Sequence, residues 1–358
     1  MNWDAFRLQK RLNLDASLIE TVYAMIAHID AVKNSFDMSR HWRPQTLNRL
    51  TRSVIITSTG ASNRIEGNRL TDFEVENLYK NMHIKKFKTR DEQEIAGYAD
   101  CLGCIFANYE NMKISESMIL GLHRDMLMYS DKDQAHKGQY KVGSNRVEAK
   151  DAEGRVIGVI FDPTPPYLVS KEMQELVDWY QWAITHKQKH PLILIANFIF
   201  EYLAIHPFQD GNGRTSRLLV NLMLLHHGYF FTSLISHEGI VEHNKVDYYI
   251  ALNKAQNTWK KDSENIGPWL LFFLSIVQEQ SRKAMALLEE DHTEQLLSEK
   301  QRALWKWAKD GGTSFSRKDA VGALGFPERT VESIIQKLES LKKLKREGQG
   351  RATRYTPL

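Results

Sequence analysis

The chain is poor in cysteine and proline and has no long apolar run, and each shortage closes off a class of protein. Two cysteines in 358 residues cannot build a disulfide scaffold. Cys101 and Cys104 lie three apart in a strongly helical stretch, with no second pair to complete a zinc site, so they read as two small buried side chains. No uninterrupted apolar stretch approaches the ~18 residues that span a bilayer, and Met1 to Arg7 lacks an apolar signal segment, so no membrane partner and a cytoplasmic setting are expected. Nine prolines, with no internal repeat or low-complexity tract, exclude a fibrous or disordered chain. What is present is ordinary for a globular protein: 42% hydrophobic and 26% charged residues, enough for a sizeable core and two or three domains.

Apolar residues recur with helical period over about 14–36, 44–66, 71–82, 91–109, 115–128, 168–187, 191–205, 213–227, 246–258 and 266–292. Alternation in Tyr140–Asn145 and Gly154–Asp162, about a Lys-Asp-Ala-Glu-Gly turn, predicts one β-hairpin, closed by Pro163-Thr164-Pro165-Pro166. An all-α chain with a single hairpin insertion is the expected fold class.

One segment carries chemistry. His206-Pro207-Phe208-Gln209-Asp210-Gly211-Asn212-Gly213-Arg214-Thr215-Ser216-Arg217 holds a base, a carboxylate, two glycines around an asparagine and two arginines in twelve residues. A residue before proline leaves helical geometry, so the His206 imidazole is presented where the apolar run Pro191–Ile205 ends. Gly211 and Gly213 let the backbone turn tightly, and the helix that resumes afterwards offers free N–H groups to an anion. Arg214 and Arg217 share one face of its first turn, where two cations at a positive dipole end oppose each other unless an anion is present. Asp210 adds a hard oxygen ligand for Mg²⁺ on the same phosphates.

At these residues the chain resembles the Fic family, whose signature is His-Pro-Phe-x-Asp/Glu-Gly-Asn-Gly-Arg-x-x-Arg; the match is complete. The resemblance implies an all-helical Fic fold with a hairpin flap and transfer of AMP from ATP to a Ser, Thr or Tyr hydroxyl of a target protein. It implies that His206 takes the hydroxyl proton and Asp210 holds the metal. Gly211, Asn212 and Gly213 would grip the α-phosphate region, and Arg214 and Arg217 the terminal phosphates. Ser62-Asn63-Arg64-Ile65-Glu66-Gly67-Asn68 is similar to the family's inhibitory motif, implying that Glu66, with Ser62, pairs with Arg217 and blocks the γ-phosphate position. The flap residues Gly143, Ser144 and Asn145 would lie near the ligand, and Tyr249 and Gln256 would enter the nucleotide pocket. Gln256 stands where the family pattern has asparagine. Relatives of the Doc type, which phosphorylate, lack the intact Gly-Asn-Gly-Arg; removal of AMP from a modified protein stays open as an alternative, because Glu66 could position a water.

The C-terminal stretch differs in charge. Glu299–Leu358 holds fourteen Lys and Arg against seven Asp and Glu, a net of +7, leaving −3 for the rest of the chain's +4. Its pattern of helices (Glu299–Lys309, Ser316–Leu324, Glu328–Leu341) and a basic hairpin resembles a winged helix-turn-helix domain. Arg329, Glu332, Ser333 and Gln336 would then face outward on the third helix, with Arg351 and Arg354 on the wing, suited to DNA in a nucleotide-sensing regulator. Protein docking or a homodimer is the other use of such a module. The expected division is 1–110 (N-terminal helices with the inhibitory helix), 111–292 (catalytic core) and 299–358 (winged helix).

Overall fold

The computed structural model describes residues 3–38, 44–82, 86–145, 147–150, 156–295, 297–348, 350 and 353–358. They form two compact units, Met1–Ala284 and Met285–Leu358. The first begins with α1 (Arg7–Lys10), α2 (Ala16–Met38), α3 (Pro44–Ile65), α4 (Asp72–Asn81), α5 (Arg90–Asn108) and α6 (Glu116–Met126). The hairpin β1 (Val147–Lys150) and β2 (Val156–Phe161) follows, then α7 (Pro166–Thr185), α8 (Pro191–Ile205), α9 (Asn212–His226), α10 (His237–His243) and α11 (Lys245–Gln256). The division falls within α12 (Gly267–Gln295).

Local chemistry explains the helix starts. Thr71 with Glu74, and Thr89 with Glu92, form reciprocal capping boxes for α4 and α5, while Pro166 and Pro191 open α7 and α8 where no N–H partner is needed. The fourteen residues Leu192–Ile205 of α8 are all buried, as a helix apolar on every side must be, and α9 packs beside it with Leu218–Leu225 inside. These two helices form the centre of the unit and are joined by the loop at 206–211. The periodic helices end within three residues of their expected bounds. The short α1 and α10 have too few turns to show a period.

The structure revises two expectations. The first hairpin strand is Val147–Lys150, antiparallel to β2 with Val147 opposite Phe161, whereas Tyr140–Asn145 is irregular. The alternation there arises because Lys141 and Asn145 turn inward to bond the loop after α8, not from a pleat. Of the two cysteines only Cys101 is buried; Cys104 is exposed on α5.

The second unit places α13 (Glu299–Gly311), α14 (Arg317–Leu324) and α15 (Glu328–Ser340) around Leu304, Trp305, Val331, Ile334, Ile335 and Leu338. The antiparallel hairpin β3 (Leu344–Glu347) and β4 (Arg354–Pro357) is extended by a bridge between Tyr355 and Phe315. Ser316 caps α14, and Pro327 stands at the cap position of α15. Arg329, Glu332, Ser333 and Gln336 are exposed, as is Arg354, which donates to the Ser314 carbonyl at 3.2 Å. Arg351 lies outside the described residues.

Candidate active site

His206 caps α8 in the left-handed region, φ 53° and ψ 61°, where its N–H still donates to Tyr202 O at 3.0 Å. An extended conformation is the usual result of a following proline; the left-handed turn is the other exit from the helix, and it keeps that last hydrogen bond. The imidazole Nδ1 lies 3.3 Å from Leu203 O, so Nδ1 carries the proton and Nε2 is left as the basic nitrogen. Burial pushes the imidazole down to about 4, and the nearby Lys141 ammonium acts in the same direction. The ring is therefore neutral at pH 7.

The rest of the loop is held from below. Asn212 spends its side chain inside it, accepting from Phe208 N–H and donating to Phe208 O, each at 2.8 Å. Its contribution is thus the shape of the turn. Gly211, at φ 80°, lies where a Cβ would come within 2.8 Å of Met126 Cε. His123 on α6 stacks on Phe208 with ring centres 3.7 Å apart, accepts the Gly138 N–H at Nδ1, and so donates from Nε2 to Asp210 O at 3.0 Å.

Arg214 and Arg217 are 2% and 3% exposed and turn to different carboxylates. Arg217 donates from Nε to Ser62 Oγ (2.8 Å) and from Nη2 to Ser62 O (2.9 Å) and Glu66 Oε1 (2.7 Å). Arg214 lies 3.3 Å from Glu94 and 3.5 Å from Asp210. Arg217 Nη1 and Arg214 Nε and Nη1 have no hydrogen-bond acceptor among the described residues. Burial alone would raise the Glu66 carboxyl, but the Arg217 guanidinium overrides it and holds Glu66 below its ordinary value. Asp210 is held low in the same way by Arg214, the Gly211 amide and Arg90, which donates to its Oδ2 at 2.8 Å.

Glu66 reaches this point because α3 is anchored beyond it. Gly67, at φ 99°, lets Asn68 N–H close back on Asn63 O at 3.0 Å. Arg64 forks onto Glu242 of α10, and Lys245 caps the helix at Ile65 O. Glu66 then sits where any Cβ on Gly213 would come within 2.2 Å of its Oε1.

Glu66, His206 and Gly213 share the wall of a cleft of about 650 Å³ with Phe161, Leu203, Tyr249, Asn253 and Gln256. Tyr249 and Gln256 are thus brought to the cleft. Gly143 lies beside Gln209 and Ser144 is exposed, but the Asn145 amide is turned away onto the carbonyls of His206 and Phe208. Arg90, Glu94, His123, Lys141, Phe161 and Asn253 were not singled out from the sequence. Each acts on the loop or cleft from a separate element, and no local spacing announces that.

Fold and loop define a helical protein that holds buried, under-satisfied arginines beside a neutral imidazole. Residues 113–224 of the chain match the Fic/DOC family model. It is 28% identical over 235 residues to protein adenylyltransferase fic-1 of Caenorhabditis briggsae, covering 64% of this chain and 42% of that protein. Over 167 residues it is 31% identical to protein adenylyltransferase Fic of Drosophila willistoni, covering 46% of this chain and 31% of that one. The chain thus spans less than half the length of these curated relatives. Its fold is similar to that of a Fic family protein from Desulfovibrio desulfuricans, with TM-score 0.60 and 22% identity over 97% of each chain. Among the described residues, no helix is long and apolar enough to cross a membrane.

Proposed function

We propose that this chain transfers AMP from ATP to a Ser, Thr or Tyr hydroxyl of a target protein, and that its own Glu66 restrains the reaction. The observation that carries this reading is the pair of buried arginines, in which Arg217 Nη1 and Arg214 Nε have no acceptor among the described residues. Leaving such a donor unpaired costs about 1–3 kcal/mol, a cost that a seated triphosphate removes. The relatives' designation as adenylyltransferases supports the choice of group transferred.

In this reading the target oxygen attacks the α-phosphorus while its proton passes to Nε2 of His206. The bond from that phosphorus to the β-bridging oxygen breaks, and pyrophosphate leaves. The free amides at the start of α9 face the oxygens on which charge grows. Arg214 and Arg217 hold the β- and γ-phosphates, and the apolar cleft with Asn253 and Gln256 receives the base. Asp210, ionised and partly exposed at the loop, fits Mg²⁺ shared with substrate phosphates. When bound, the ion neutralises phosphate charge. The hairpin edge offers backbone groups to an extended target segment. Glu66 on Arg217 removes a γ-phosphate partner and repels the triphosphate. A cytoplasmic setting supplies the ATP and Mg²⁺.

Glu66 also lines the cleft that holds His206, which favours AMP removal as the second reading, with Glu66 positioning a water. Mass spectrometry separates them: a gain of one AMP on a target incubated with ATP and the Glu66→Gly chain supports transfer, and loss of AMP from a modified target incubated with the unaltered chain supports removal. His206→Ala should abolish the gain while ATP binding persists.

The second unit we read as a winged helix. Arg317 approaches Glu328 (3.7 Å) and Glu332 (3.2 Å), so one cation meets two carboxylates there and leaves no positive surplus for phosphates, favouring protein docking or self-association over DNA. A steep linear fall of log affinity for duplex DNA with log salt would reverse that preference.

A further inference from the structure

Lys141 is only 3% exposed, although lysine is among the residues least often buried. Among the described residues it has no carboxylate within ion-pair distance; its ammonium donates instead to Asn145 Oδ1 at 2.6 Å and to Ile205 O at 3.3 Å. Its backbone N–H donates to Pro207 O at 2.9 Å. Asn145 donates in turn to His206 O at 3.0 Å and Phe208 O at 2.7 Å. The carbonyls of four consecutive residues, 205 to 208, are thus each taken by one of two residues that lie some sixty positions earlier in the chain.

That pattern surrounds the one non-glycine residue of the loop in the left-handed region, His206 at φ 53°. A β-carbon there crowds the following carbonyl, so the conformation persists only where the surroundings impose it. Ile205 O is also the last carbonyl of α8, the negative end of the helix, where an ammonium is favourable. Burial brings the Lys141 ammonium down to about 8, so it remains charged at neutral pH.

We propose that Lys141 is a positioning residue for the general base, fixing with Asn145 the left-handed turn that aims His206 at the target hydroxyl. Neither residue touches the reacting atoms; both act through the backbone carbonyls on either side of the imidazole. The inference rests on His206 being the base, so the two ideas need separable tests.

The parent for the test is the full-length Glu66→Gly chain, with initial rates of AMP transfer measured over ATP concentration. Lys141→Met removes the ammonium at similar length. Asn145→Asp keeps the acceptor for Lys141 and removes both donors to the loop. Each should lower kcat on the order of 100-fold, the cost of misplacing a reacting group by about an ångström, with KM for ATP and the melting temperature little changed. The double variant should lose little more than either single one. Lys141→Arg, which keeps a cation and its donors, should recover part of the rate. If Lys141→Met does not fold, Asn145→Asp decides by the same criteria. A folded variant that keeps kcat within twofold of the parent, or loses only ATP affinity, overturns the assignment. NMR of ¹⁵N-labelled His206 gives an activity-free readout: its amide and ring signals should shift in both variants, and unchanged signals overturn the clamp. His206→Ala that still turns over would remove the base assignment, while the NMR shifts would still report the clamp.

Discussion

Replacing Glu66 by glycine should raise the rate of AMP transfer by about 10- to 30-fold, and the geometry sets that figure. The carboxylate makes one charge-assisted hydrogen bond to Arg217, at 2.7 Å, and is 36% exposed. Bonds to charged groups contribute about 1.5–3 kcal/mol, and partial exposure selects the lower end, about 1.5–2 kcal/mol. If the γ-phosphate must replace this carboxylate, removing it shifts the competent population by that amount, at about 1.4 kcal/mol per tenfold. Arg217 should stay in place, because Ser62 holds its Nε at 2.8 Å and its Nη2 at 2.9 Å. The backbone is little affected, since position 66 lies past the end of α3 and beside Gly67. The assay is the initial rate of incorporation from α-labelled ATP, with circular dichroism to verify the fold. Glu66→Gln, which keeps the volume and removes the charge, should give part of the increase. Rates within twofold of the unaltered chain, in a folded variant that still binds ATP, would refute the inhibitory contact.

The pH dependence should be set by His206. Only the neutral ring accepts a proton, and burial brings it down to about 4, so kcat/KM should stay level from pH 7 to near 5 and fall on the acid side only below that. An acid limb centred near 6.5 in the Glu66→Gly chain would contradict a buried base. The same shift makes the ring a source of acid instability: the unfolded chain takes up a proton near 6.5 that the folded one refuses, so stability should decline as pH falls from about 6.5 towards 4, which pH-dependent melting would measure. Arg90→Ala in the Glu66→Gly chain should lower the Mg²⁺ concentration for half-maximal ATP binding. Arg90 occupies Asp210 Oδ2 at 2.8 Å in a pair whose side chains are both 43% exposed, worth about 0.2–1 kcal/mol, or up to fivefold, by calorimetry. A higher Mg²⁺ requirement would show that Arg90 assists binding. Gly97→Ala should cost about 1–3 kcal/mol or more in thermal unfolding, because its Cβ would come within 1.9 Å of Met126 O, a backbone atom that cannot turn aside. An unchanged melting temperature would mean that α5 and α6 are less tightly apposed than described.

Much of this molecule was legible in its sequence where the signal is local. Helices such as Pro191–Ile205 announce themselves by apolar content and an opening proline, and the segment 206–217 by its concentration of functional groups. The errors fall where a local pattern had a distant cause. Tyr140–Asn145 alternates like a strand because Lys141 and Asn145 reach the loop after α8, and Cys104 falls on the exposed side of a helix read as burying both cysteines.

What the amino-acid order determined by itself was the list of chemical groups and the helices that carry them, since both follow from neighbours a few residues apart. Only the tertiary structure decided their states. It buried Arg214 and Arg217 without enough acceptors, favoured the neutral form of the His206 imidazole and set Glu66 against Arg217 across 151 positions. It also drew Lys141 and Arg90 into the site. Desolvation and the approach of opposite charges depend on distances in space, and those exist only once the helices have packed.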